Sequence, residues 1–185
     1  MTVTRVFGAS PLQHGFSLIE QIMVLVIAAL LTGIAVPSLQ HLLGRNQLRV
    51  AQTDFIAALR HARGMAIASG RRTLFCPSPD GRHCSGGTRW DDGWLLAHDA
   101  NGDHQPDGDP FYTGAAYSAR LDITSSSGRH DVRFMPDGSA SGSNVTLLFC
   151  ESGSDTALSV VVSNAGRIRG AAATPAQAAN CTQAE

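Results

Sequence analysis

The residues Gly15-Phe16-Ser17-Leu18-Ile19-Glu20 and the apolar run from Gln21 to Val36 constrain this chain more than any other stretch. A polar leader ends in glycine, phenylalanine opens a hydrophobic helix, and one carboxylate stands near its start. A carboxylate inside a membrane segment costs about 2.5 to 3.5 kcal/mol on insertion scales, so it is usually kept for a partner or a function. A plain secretory signal would carry a basic start, an uncharged core and a small-residue cleavage site. Here Arg5 is the one basic residue ahead of the core, besides His14 next to the glycine, and no Ala-x-Ala site follows soon after the run. Phe16 to Val36 gives a helix of roughly 21 residues, just enough to cross a hydrocarbon core about 30 Å thick.

Gly15, Phe16 and Glu20 match directly the class III signal of type IV pilins and pseudopilins, which this segment resembles. The resemblance implies cleavage after Gly15 by a prepilin peptidase on the cytoplasmic side and N-methylation of Phe16. It implies that the apolar segment is retained as a single pass through the inner membrane, with the bulk of the chain in the periplasm. Assembly with other major and minor pilins into a fibre at the cell surface would follow. Glu20 would then pair with the terminal amine of a neighbouring subunit, a charge pair that low dielectric strengthens and that sets register. The expected parts are a leader at 1–15, a transmembrane and fibre-core helix at 16–37, an amphipathic stalk half at 38–70, and a β-rich periplasmic domain with a carboxyl tail at 71–185.

Composition narrows the rest. A chain of 185 residues has room for one domain of ordinary size besides an anchor. With 14 basic and 15 acidic residues, contact with nucleic acid must come from a local patch. Every basic residue is arginine, which removes Schiff-base chemistry, a phosphate-loop lysine and a Ser-Lys pair together. Cys76, Cys84, Cys150 and Cys181 form no Cys-x-x-Cys pair. In a periplasmic domain they read as disulfides, with three connectivities open. Cys76 with Cys84 and Cys150 with Cys181 is the expected pairing, the second tying the tail to the sheet. Zinc is the alternative that the spacing and the oxidising compartment disfavour.

Gly33 and Pro37 interrupt the first helix, since proline removes a backbone bond and kinks. Beyond it Leu39, Leu42, Leu43, Val50, Ile56, Leu59, Ala62, Ala66 and Ile67 recur at helical steps, predicting an amphipathic half that packs on a sheet and stops near Ser69-Gly70. Short strands are then predicted at Thr73–Cys76, Trp94–His98, Ala119–Thr124, Asp131–Met135, Thr146–Cys150 and Leu158–Ser163, with turns at Pro77–Gly81, Ser125–Gly128 and Pro136-Asp137-Gly138. Helix first and strands after give an α+β domain, a long N-terminal helix packed on antiparallel sheet. Ala62-Arg63 with Ala66-Ile67, Leu74 to Ser78, Trp90 to Trp94, Phe134 to Gly138 and Val160 to Arg169 resemble the FimT/GspH family of minor pilins and pseudopilins, FimT most closely.

Asp99 to Asp109 starts like a calcium loop, but His104 stands where glycine is needed and Pro110 where glutamate is needed, so a solvated turn is the stronger reading. The seven histidines stand singly. Gly138-Ser139-Ala140-Ser141-Gly142 resembles a nucleophile elbow with alanine at its centre. No catalytic residue, metal site or cofactor is expected, and Trp90 and Trp94 read as packing residues.

Gly166-Arg167-Ile168-Arg169-Gly170 is the stretch that points to a ligand. In extended chain Arg167 and Arg169 point the same way, and two guanidiniums on one face suit adjacent phosphates. The glycines and the small, flexible tail Ala171 to Ala179 would let backbone approach closely. FimT proteins of natural transformation bind DNA through a Gly-Arg-x-Arg motif, which Gly166, Arg167 and Arg169 match. The resemblance thus implies DNA contact without sequence preference, which Arg71 and Arg72 would extend if the fold brought them close. The other readings are a GspH-like pseudopilin of type II secretion and a structural minor pilin that primes assembly.

Overall fold

The computed structural model describes residues 17–152 and 156–181. Gly15 and Phe16, with the leader, lie outside them. One helix, α1 (Leu18–Ser69), is followed by strands β1 (Thr73–Pro77), β2 (Trp94–His98), β3 (Tyr112–Gly114), β4 (Leu121–Ser125), β5 (Val132–Phe134), β6 (Val145–Glu151), β7 (Ala157–Val162) and β8 (Ile168–Ala172), then a short helix α2 (Pro175–Cys181). The chain divides into two compact units, one ending at His41 and one running Leu42–Glu185.

In the first unit, every large apolar side chain described from Leu18 through Leu31 is more than half exposed. Ser17 accepts the amide of Gln21 through its carbonyl, and Glu20 sits in the first turn, where a carboxylate complements the positive end of the helix dipole. Among the described residues no helix is long and apolar enough to cross a membrane. The span expected at 16–37 reaches beyond them at Phe16 and at the side chains of Ile34, Val36 and Pro37.

The second unit is α+β, with two antiparallel four-stranded sheets of order β3-β2-β1-β5 and β4-β6-β7-β8. The stalk buries Leu48, Ala51, Phe55, Ala58, Leu59, Ala62 and Ala66. Phe55 joins the layers: its ring meets Phe75 of β1 and Phe149 of β6 edge-on at 5.6 and 5.1 Å, and lies about 6 Å from Trp90, Trp94 and Tyr117. Leu39, Leu42, Leu43, Val50 and Ile67, expected on the packed face, are at least half exposed. The reason is phase: the buried stripe runs through Leu48, Ala51, Phe55, Ala58, Leu59, Ala62 and Ala66 at steps of one, three and four, and those five residues lie off it.

The predicted strands form within about two residues of their expected ends, and α1 stops at Ser69 before Gly70, which adopts φ 64°. Two departures concern the tail. Residues 168–172 form the edge strand β8 and 175–181 a helix, where a flexible tail was expected over 171–179. A run of alanines has no amphipathic signal, yet its small side chains pack: Ala173, Ala178 and Cys181 lie against Leu148, Cys150 and Ala157. The Cys150–Cys181 bond holds the tail there, and Cys76–Cys84 closes the loop after β1. Both pairings are the expected ones.

Candidate functional site

The turn that carries Gly166 is a tight connection between β7 and β8. The Gly166 amide donates to the Ser163 carbonyl at 2.8 Å, the Ser163 amide donates to the Arg167 carbonyl at 3.0 Å, and the Arg167 amide donates to the Ser163 hydroxyl at 3.2 Å. Gly166 has φ 73°, a left-handed value that closes such a hairpin and strains other residues.

A second turn, Pro136-Asp137-Gly138, supports the first. Its Met135 and Gly138 amides donate to the Ser139 and Met135 carbonyls, each at 2.8 Å. Hydrogen bonds from Ser139 hold the Asp137 carboxyl below the usual carboxylate range. The two turns are joined where the Ala140 amide donates to the Asn164 carbonyl at 2.8 Å, and the stalk joins them where Arg63 Nε donates to the Gly138 carbonyl at 2.8 Å. A side chain on Gly166 would overlap that same carbonyl and press on Arg63 Nε. Gly170, at the other end of the motif, leaves room for Ile56 and Gln52 of α1, whose amide nitrogen donates to the Ser159 and Ala171 carbonyls at 2.9 and 3.1 Å. The glycines therefore bring the hairpin close to the stalk.

Arg167 is exposed and lines a cleft of about 400 Å³ shared with Arg60, Arg63, Gly64, Ile67, Gly166 and Ile168. Arg169 is exposed on β8 opposite Val161 and is not among the residues lining that cleft. Neither are Arg71 and Arg72. Arg72 instead approaches buried Asp99, Nη1 to Oδ2 at 3.9 Å, while its carbonyl accepts the Asp99 amide at 3.2 Å. The sequence reading missed Arg60 and Arg63. Their three-residue spacing beside Gly64 marks a shared helix face, but nothing local shows that the face meets residue 166.

Several of the acidic loop's oxygens accept amides within the loop. Asp99 Oδ1 accepts the Gly102 amide at 2.7 Å, Asn101 Oδ1 the Asp103 amide at 3.0 Å, Asp103 Oδ1 the Gln105 amide at 2.9 Å, and Asp107 accepts the Ala100 amide. These are the self-bonded turns that Asp and Asn favour. His104, with φ 66°, reaches Asp131 at 2.5 Å, and Arg133 Nε reaches the same carboxylate at 3.2 Å, clamping the loop to β5. Among the described residues no group of three or more His, Cys, Asp or Glu could hold a metal. Trp90 and Trp94 are core residues, and the Ser139 and Ser141 hydroxyls face each other at 3.2 Å.

A sequence search of curated proteins finds no match. Among solved structures the chain is similar to the type IV minor pilin FimU of Pseudomonas aeruginosa in two crystal forms. Both are 21% identical, with TM-scores of 0.57 and 0.54, covering 71% and 70% of this chain and 92% and 94% of FimU. It is also similar to the minor pseudopilin EpsH of the type 2 secretion system of Vibrio cholerae, at 16% identity and TM-score 0.50, covering 68% of this chain and 97% of EpsH. At these identities the likeness is one of fold: a type IV pilin-like helix and antiparallel sheet. The family model for type II transport protein GspH matches residues 51–166, from the buried half of α1 to the Gly166 turn, with Arg167 and Arg169 just beyond its end. The chain belongs to the GspH family of type II transport proteins.

Proposed function

We propose that this protein is a minor type IV pilin that is anchored by its N-terminal helix, assembles with other pilins, and holds DNA at the cell surface for natural transformation. In this reading prepilin peptidase cuts between Gly15 and Phe16, Phe16 is N-methylated, and Glu20 pairs with a neighbouring subunit's terminal amine. The exposed apolar surface from Leu18 through Leu31 supports an anchor that lipid first covers and other pilins cover later. The protein acts by binding and assembly, without a catalytic step.

The observation that carries DNA contact is Gly166-Arg167-x-Arg169 on an exposed edge hairpin fixed from below. Hydrogen bonds hold its turn to the Gly138 turn and that turn to Arg63 of the stalk, so the arginines stand on a rigid base. Guanidinium groups bind phosphate oxygens bidentately, and contacts to phosphate carry no sequence information, so binding is without sequence preference and weakens with salt. Two contacts per subunit are feeble, and several copies along a fibre raise avidity.

The test is a titration of labelled duplex DNA with the full-length chain in neutral detergent across a salt series. Arg167→Ala with Arg169→Ala should abolish measurable binding at moderate salt, or reduce the slope of log affinity against log salt by about 2, with an unchanged melting curve. Equal binding by the double variant overturns the DNA reading. The alternative, a minor pseudopilin of a type II secretion system, is favoured by the GspH family match and by the likeness to EpsH. For that reading the same titration would show no binding by the wild type.

A further inference from the structure

The stalk helix brings to the Gly166 turn two arginines that the Gly-Arg-x-Arg motif does not contain. Arg60 and Arg63 stand three residues apart on α1, a spacing that places side chains on one helix face, and both line the cleft that Arg167 lines. Gly64 lines it too, and a side chain built there would meet no heavy atom within 4 Å. Ile67 and Ile168 supply an apolar wall. No carboxylate lines the cleft, and among the described residues none pairs with Arg60, Arg63 or Arg167.

Arg63 is held in place by the bond from its Nε to the Gly138 carbonyl, which leaves its terminal nitrogens unused by that bond. Three like charges gathered without an acid repel one another and focus a positive potential into the concavity. The volume, about 400 Å³, exceeds what a single phosphate group and its ester oxygens need.

We propose that this cleft seats a backbone phosphate of a nucleic-acid strand, with Arg60 and Arg63 of the stalk and Arg167 of the hairpin as its donors. The inference rests on reading Gly166-Arg167-x-Arg169 as a DNA contact, and it moves that contact from the hairpin alone to the seam between hairpin and stalk. Arg169 then meets a different phosphate, because it lies on β8 outside the cleft.

The test uses the full-length chain in neutral detergent, a labelled duplex, and three variants. Gly64→Glu puts a carboxylate in the cleft lining, Gly64→Gln puts a neutral group of the same size there, and Arg60→Gln removes one donor. None touches the Arg63 to Gly138 bond, and melting curves confirm folding. Gly64→Glu should lose about tenfold or more in affinity, Gly64→Gln should stay within about threefold of wild type, and Arg60→Gln should lower the salt slope by about 1.

Wild-type binding by Gly64→Glu and Arg60→Gln, with binding lost in the Arg167→Ala and Arg169→Ala variant, overturns the cleft and leaves the DNA reading standing. Binding that survives in that double variant as well overturns both. In a second arm, inorganic phosphate replaces chloride at constant ionic strength. It should compete with the duplex only at concentrations far above those at which the duplex binds, and binding of free phosphate as tight as that of the duplex would mark a free-phosphate site and overturn the assignment to a strand.

Discussion

Gly166 shows how one residue can carry two meanings. In the sequence it reads as a glycine that lets a ligand approach; in the structure its left-handed backbone closes a hairpin, and its missing side chain makes room for the Gly138 carbonyl and Arg63. Gly166→Ala should therefore cost about 1 to 2 kcal/mol from the backbone alone, and more from the overlap, read as a lower melting temperature in variants that keep both arginines. Asp122 gives a pH signature. Burial, and then the charge of Asp91, push its carboxyl above the usual range, against a smaller opposing effect of Arg89. A group whose folded value is raised favours folding while protonated and loses that contribution as pH rises through the folded value. Asp122→Asn should thus raise the melting temperature at neutral pH, and the gain should vanish on acidification below the ordinary carboxylate range. A gain that instead grew toward acid would contradict the burial argument.

At the scale of elements, the legible parts were those with a strong period or strong punctuation. Short, nearly continuous apolar runs bounded by turn residues marked Thr73–Pro77, Trp94–His98 and Val145–Glu151 as buried strands, and Gly70 and Gly138 marked stops that the structure places in left-handed backbone. β3 escaped because its three residues, Tyr112 to Gly114, are too few to show a period and lead into two alanines. β8 and α2 escaped because Gly170 to Ala173 is nearly featureless, and what orders it is distant: pairing with β7 and the bond from Cys181 to Cys150. The helix phase was half legible: Leu59, Ala62 and Ala66 are buried and Ile56 packs against the core as expected, while Leu48, Ala51, Phe55 and Ala58 fill the rest of the stripe in place of Leu39, Leu42, Leu43, Val50 and Ile67. The Cys150–Cys181 bond closes a separation of 31 residues, so replacing both cysteines by alanine should cost about 3 to 4 kcal/mol by loop entropy. The loss should appear first as faster hydrogen exchange across residues 168–181, before the core exchanges.

For the whole molecule, one cluster around Phe55 holds stalk and both sheets together, and the hairpin that carries Arg167 and Arg169 stands on the same stalk. The proposed site was half visible in the sequence: Gly166, Arg167 and Arg169 came from a motif, while Arg60 and Arg63 needed the fold to bring residues about a hundred positions away beside them. The account as a whole depends on the N-terminal helix being retained as an anchor after a cut ahead of Phe16. Intact-mass and N-terminal peptide mass spectrometry of the protein purified from cells tests this most directly. The account predicts a chain that begins at Phe16 and carries one added methyl group on its amine; a mature chain that begins downstream of Val36 would contradict it.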